Sequence, residues 1–246
     1  MPKPKLALIH GWGLNEAVWQ NIIGPLSKSF DIQLVSLAGY GKRQNAKAAT
    51  SIDELADDLL AQIPRGVIWC GWSLGGMGAL AAAIKASGHI KALTLLCSTP
   101  KFVTGGDWQH GSTIETFRKF AEDLASDYDR GLKRFLLLQA GSTGHAKTLA
   151  KEASAGVNQL PAPTSETLMV GLDILEHTDL RNKLEQINIP TQIISGRRDR
   201  VASPAAGKYL ADQITGATYT ELNAGHAPHL SDPDELIELL SMQAKL

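Results

Sequence analysis

Residues 71–75 read Gly-Trp-Ser-Leu-Gly and are placed between an apolar, β-branched run (Val67, Ile68) and an alanine-rich helical stretch (Ala79 to Ala86). With a strand before it and a helix after it, this is the pattern in which a strand turns sharply into a helix with Ser73 on the corner. Gly71 and Gly75, two residues to either side, keep side chains out of the space where the helix meets neighbouring strands. A chain built around such a turn is made of strand-then-helix units, and the rest of the sequence keeps that rhythm. Strands are predicted at Leu6–His10, Ile32–Leu37, Gly66–Cys70, Ala92–Cys97, Gln192–Ser195 and Thr218–Leu222. Helices are predicted at Ile52–Ile63, Leu74–Ala86, Pro204–Gln213 and Pro233–Met242. Ser51 before the first of these, with Glu54 three residues later, has the form of a capping box. Strands alternating with helices imply an α/β fold with a mostly parallel sheet and helices on both faces.

The stretch from about 101 to 187 breaks the rhythm. It holds no convincing strand but has helical periodicity at Ile114–Leu124, Leu132–Gln139 and Leu168–Leu175. It is expected to be a helical lid inserted in a core made of 1–100 and 188–246, lying over the strand C-termini where open α/β sheets bind ligands. At 246 residues the chain has room for one large domain with such an insertion. A formal net charge of −1 gives no broad basic surface for nucleic acid. Cys70 and Cys97 both fall in strand-like runs, so buried free thiols in a reducing compartment are expected. The apolar run before Gly11 is too short for a membrane span or a signal-peptide core. The cytoplasm is the expected location.

Ser73 needs a base and a group that orients the base, in the order Ser, Asp/Glu, His. His226 follows the last predicted strand and Asp199 follows the strand Gln192–Ser195. Both therefore fall at the sheet edge that carries Ser73. A serine hydroxyl becomes a useful nucleophile when an imidazole takes its proton, and a carboxylate fixes the imidazole tautomer. Asp199 could instead be a solvated loop charge paired with Arg198 or Arg200. His89, His110, His145 and His177 read as surface residues, and His229 as a brace for the loop. The oxyanion of a tetrahedral intermediate needs two donors. The backbone N–H of Leu74 and that of Trp12, in His10-Gly11-Trp12-Gly13, are the candidates. His10-Gly11 also reads as a tight strand exit.

These features together resemble the α/β-hydrolase family and, within it, the methyl ester esterases that act on pimeloyl-acyl-carrier protein in biotin synthesis. The likeness is carried by His10-Gly11-Trp12-Gly13-Leu14-Asn15, Gly71-Trp72-Ser73-Leu74-Gly75-Gly76, Arg134-Phe135-Leu136-Leu137-Leu138-Gln139, Gly171-Leu172-Asp173-Ile174-Leu175 with Asp179-Leu180-Arg181, and Gly225-His226-Ala227-Pro228. It implies that Ser73, Asp199 and His226 are catalytic, that Trp12 and Leu74 supply oxyanion amides, and that Phe135 lines an acyl channel. No cofactor and no metal are expected. The chain departs from the family in an abbreviated N-terminal hairpin, and Ser36-Leu37-Ala38-Gly39-Tyr40-Gly41 lacks the aspartate common there.

Between Arg130 and Lys151 lie five basic residues and no acidic one, flanked by Asp127, Asp129 and Glu152. Arg130/Arg134 and Lys147/Lys151 have i, i+4 spacing, so each pair shares a helix face. The resemblance makes these four the docking residues for an acyl-carrier protein, the expected partner of a monomeric enzyme. A solvated helix face is the plainer reading. Trp108, Phe135 and Leu138 could line the path of the acyl chain, or simply fill the lid's core. Two other enzyme classes suit the same residues: a broad short-chain carboxylesterase, and a triad-dependent carbon–carbon bond hydrolase or lyase. A hydrolase-fold ligand-binding protein is the non-enzymatic alternative.

Overall fold

The computed structural model describes residues 2–140 and 144–245. In chain order the principal elements are β1 (Lys5–Ile9), α1 (Gln20–Leu26), β2 (Asp31–Val35), α2 (Ile52–Gln62), β3 (Val67–Trp72), α3 (Leu74–Ala86) and β4 (Ile90–Leu96). Then follow α4 (Ile114–Ser126), α5 (Tyr128–Ala140), α6 (Gly144–Val157), α7 (Ser165–His177), β5 (Thr191–Gly196), α8 (Pro204–Gln213), β6 (Thr218–Leu222), α9 (Pro228–Ser231) and α10 (Pro233–Met242). Among the described residues the six strands form one sheet, ordered β2-β1-β3-β4-β5-β6. Every pairing is parallel.

That order places the site. The chain starts at β1, steps outward to β2, then returns to the other side of β1 as β3 and continues to β6. The direction reverses between β1 and β3, and the crevice beyond their C-terminal ends is where such sheets bind ligands. Gly11 lies just past one strand and Ser73 just past the other. β3 is buried along its whole length, while the edge strands β2 and β6 are only partly covered. A strand covered on both faces needs apolar residues at successive positions, which is why Val67–Cys70 reads as a continuous run. α3 is buried over Leu74–Ala83 and packs on β3, β4 and α2. Its alanines and glycines let it approach closely.

The start of α2 differs in one detail from the predicted capping box. Ser51 Oγ accepts the Glu54 N–H at 3.2 Å, as expected. The Glu54 carboxylate turns instead to Thr50, accepting from its N–H at 2.8 Å and its hydroxyl at 2.9 Å.

After β4 the chain leaves the sheet and does not return until β5. Among the described residues the intervening stretch holds α4–α7 and no strand beyond the isolated bridges Val103–Ser112 and Gly105–Trp108. α4 packs on α5 and α7, and α5 on α6. The two ends of the stretch are joined: Leu180 N–H donates to Pro100 O at 3.0 Å, and Lys101 pairs with Asp179 at 3.1 Å. No helix among the described residues is long and apolar enough to cross a membrane.

Candidate active site

Ser73 sits between β3 and α3 at φ 56° and ψ −121°, a conformation that L-residues rarely adopt. The neighbourhood holds it there. Its N–H donates to Leu96 O at 3.1 Å, and its carbonyl accepts from the Ser98 hydroxyl at 2.9 Å. A side chain on Gly71 would put Cβ 2.6 Å from Gly75 O, and one on Gly75 would put it 2.7 Å from Ile9 O. Both positions are therefore closed to any other residue.

Ser73 Oγ lies 3.0 Å from His226 Nε2, and His226 Nδ1 lies 2.7 Å from Asp199 Oδ2. The carboxylate can only accept there, so Nδ1 carries the hydrogen and Nε2 is left free to receive the serine proton. The other carboxylate oxygen of Asp199 accepts from the N–H groups of Val201 at 2.7 Å and Ala202 at 2.9 Å. Asp199 is thus no solvated charge. It is buried, and Arg198 bonds to Asn223 instead. Trp72 steadies the histidine loop by donating its indole N–H to His226 O at 2.7 Å. All three polar side chains are buried, where hydrogen bonds are stronger than in water.

The N–H groups of Trp12 and Leu74 have no hydrogen-bond partner among the described residues. Gly11, whose carbonyl shares a peptide unit with the Trp12 N–H, approaches Ser73 so closely that an added Cβ would stand 3.2 Å from Ser73 Cβ. The cavity here is walled by Trp12, Trp72, Phe117, Phe120, Phe135 and Leu175, with Ser73 and His226 at its polar end. Its free space is about 10 Å³, room for one water. In its wall the Phe120 and Phe135 rings pack edge-to-face with their centroids 5.3 Å apart. Phe117 and Phe120 escaped the sequence reading; their i, i+3 spacing on one amphipathic helix was the available signal.

Two expected path residues lie elsewhere. Leu138 is 59% exposed on the outer face of α5. Trp108 is buried but packs against Tyr209, His110 and the Arg181 guanidinium, away from the cavity. Of the surface histidines, His145 and His177 are exposed, whereas His89 and His110 are half-buried, and His89 bonds to Ile63 O at 2.7 Å. His229 is fully buried between Trp19 and Trp72, and desolvation pushes its pKa down to about 3. His10 is also buried, with its pKa lowered to about 4 by burial. Its Nδ1–H donates to Gly11 O at 2.8 Å and its Nε2 accepts the Leu37 N–H at 3.1 Å.

Arg130, Arg134, Lys147 and Lys151 are all exposed, on the adjacent helices α5 and α6. Acidic neighbours occupy the two arginines: Arg134 pairs with Asp123 at 3.2 Å, and Arg130 approaches Asp127 at 4.0 Å. Among the described residues one cluster has metal-binding side-chain types: Cys97, Asp199 and His226, with ligand atoms within 4.8 Å of one another. The carboxylate and imidazole are already bonded to each other. Burial raises the Cys97 pKa well above its usual value, so the thiolate that a metal would need is disfavoured. Cys70 is likewise a buried free thiol, its pKa pushed up to about 12.

Residues 4–233 match the α/β-hydrolase fold family. The chain is 37% identical over 238 residues to the pimeloyl-[acyl-carrier protein] methyl ester esterase of Stenotrophomonas maltophilia (strain R551-3), covering 96% of this chain and 91% of that one. It is 36% identical over 236 residues to the enzyme of the same name from Nitrosomonas europaea, covering 95% and 93%. Among solved structures, an esterase from Exiguobacterium antarcticum superposes with a TM-score of 0.85 at 21% identity, over 100% of this chain and 93% of that one. The enol-lactonase from Burkholderia xenovorans LB400 does so with a TM-score of 0.81 at 23% identity, over 100% and 93%. At those identities the structural likeness speaks for the fold.

Proposed function

The chain belongs to the α/β-hydrolase fold family, and from that premise we propose that it is a carboxylesterase hydrolysing the methyl ester of pimeloyl-[acyl-carrier protein] to the free carboxylate and methanol in biotin biosynthesis. The observation that carries this is the Ser73–His226–Asp199 chain, closed at 3.0 Å and 2.7 Å. As Ser73 Oγ attacks the ester carbonyl, its proton passes to His226 Nε2, and Asp199 stabilises the imidazolium. The N–H groups of Trp12 and Leu74 receive the oxyanion. Collapse of the tetrahedral species expels methoxide, which leaves as methanol with the proton from His226. Water then attacks the acyl-serine with His226 again as base, releasing the carboxylate and restoring Ser73.

The apolar walls suit a methylene chain, and Phe135 lines its channel. Residues 101–187 serve as the lid over it. Arg130, Arg134, Lys147 and Lys151 form the face that meets the acidic surface and phosphopantetheine phosphate of the carrier. With the carrier held outside, the chain enters distal end first, so the methyl ester and not the thioester reaches Ser73. Two buried thiols agree with a cytoplasmic setting.

The test is methanol release from carrier-linked and free pimelate methyl esters. Ser73→Ala should abolish it without loss of the fold, and retained turnover would reject the proposal. A panel of short acyl esters and carbon–carbon substrates, turned over faster than the methyl ester, would reassign the substrate while leaving the serine chemistry in place.

A further inference from the structure

The loop after β1 is tied to each of α4, α5, α6 and α7. Gly13, at φ +74°, leaves only enough room that an added Cβ would stand 3.0 Å from Leu124 Cδ1 of α4. The Tyr128 hydroxyl, at the start of α5, donates to Gly13 O at 3.0 Å. Asn15 Nδ2 donates to Val157 O at the end of α6, at 2.9 Å. The most specific tie is to α7, where the Trp12 indole N–H donates to Leu168 O at 2.9 Å. One turn further along α7 stands Gly171. An added Cβ there would lie 2.5 Å from Trp12 Cδ1 and 2.9 Å from Trp12 Nε1. The indole therefore sets its Cδ1–Nε1 edge against a stretch of helix that has no side chain at Gly171.

The same residue carries the free N–H beside Ser73. Its peptide unit is fixed from the other side, because His10 Nδ1–H holds the Gly11 carbonyl at 2.8 Å. A trans peptide is planar, so fixing the carbonyl at one edge sets the direction of the N–H at the opposite edge. The indole anchor then fixes where along the site that N–H sits. We propose that α7 is a positioning element of the hydrolytic centre: Leu168 O and the bare face at Gly171 seat the Trp12 side chain and so hold its backbone N–H where the oxyanion forms. This rests on the reading of Ser73 as nucleophile and Trp12 N–H as oxyanion donor.

Mere packing would give a different signature from positioning. An oxyanion donor stabilises the tetrahedral state and not the bound ester, so its displacement lowers kcat more than it raises KM. The experiment compares Gly171→Ala, Trp12→Phe and the double variant of the full chain on a p-nitrophenyl ester. Affinities are also measured for a trifluoromethyl ketone, which adds to the serine as a tetrahedral adduct, and for the unreactive amide of the same acyl chain.

Gly171→Ala should lower kcat about 10- to 100-fold, and weaken the ketone by the same factor while sparing the amide. Both substitutions act on the one contact between the Trp12 side chain and α7, so their effects on kcat should be less than additive in the double variant. The proposal is overturned if Gly171→Ala melts like the parent and keeps its kcat, or if ketone and amide weaken equally. Should Gly171→Ala fail to fold, Trp12→Phe decides alone, since it removes the Leu168 bond without adding volume; unchanged kcat and ketone affinity there overturn the idea. Labelling by a fluorophosphonate separates the two levels. If the parent protein is not labelled at Ser73, the catalytic reading fails; if all variants are labelled but show no ketone-selective loss, only the role of α7 fails.

Discussion

A serine held at φ 56° stores on the order of 1–3 kcal/mol of backbone strain, and the contacts of its neighbours must offset it. Asp199 is bound just as firmly, with one carboxylate oxygen accepting two backbone N–H groups and the other facing His226. This makes Asp199→Asn a clean probe. The amide oxygen can keep the bonds to Val201 and Ala202, which turns the NH₂ group toward His226 Nδ1. The imidazole then accepts at Nδ1 and carries its hydrogen on Nε2, where it cannot take the proton of Ser73. Turnover of a methyl ester should fall about 10⁴-fold with little change in melting temperature; a loss of only a few-fold would remove the tautomer argument. Ser73, Asp199 and His226 were legible because each follows an apolar run at one sheet edge. The work of His10 was not, since both its partners, Gly11 O and Leu37 N–H, are backbone groups that leave no trace in residue type.

Among elements, α5 and α6 carry the proposed carrier-binding face, and the two differ in how free their charges are. Arg134 and Arg130 have Asp123 and Asp127 nearby, whereas Lys147 and Lys151 stand exposed with no ion pair among the described residues. Exposed pairs of this kind are worth at most about 1 kcal/mol, so a carrier can displace them. Replacing Lys147 and Lys151 by alanine should raise KM for carrier-linked ester and leave a free methyl ester unaffected, with the difference shrinking as salt is added. Replacing the two arginines should do the same more weakly. Equal losses on both substrates would exclude a docking role. The periodicity of α4, α5 and α7 was readable, but not which way α5 faces, because Phe135–Leu138 is apolar all the way round and leaves Leu138 outward. The motif Asp179-Leu180-Arg181 was also opaque in sequence. Its side chains clasp Lys101, Asp107 and Trp108, more than seventy residues earlier, at the other end of the same stretch.

At the scale of the whole molecule the parallel sheet follows from alternating strands and helices, while the strand order does not. It is set by which crossovers pack together, a long-range property. The same long-range packing buries His10 and His229 as neutral rings, and this couples the fold to pH. Unfolded, both imidazoles take up a proton near pH 6.5; folded, burial delays this to about pH 4 for His10 and about pH 3 for His229. Between those limits the unfolded chain binds more protons. The contribution of these two rings to stability is therefore fully present above about pH 6.5 and falls as the medium is acidified, by up to about 1.4 kcal/mol per pH unit for each ring. The two rings can be told apart. His10 makes two hydrogen bonds, whereas neither nitrogen of His229 has a partner among the described residues, and two tryptophans surround it. In His229→Phe an apolar ring replaces an unsatisfied polar one, so the melting temperature at pH 7.5 should hold or rise. Its decline between pH 6.5 and 4 should be about half as steep as in the parent. An acid slope identical to the parent's would mean that His229 does not stay neutral in the core, and the pH coupling would have to come from elsewhere.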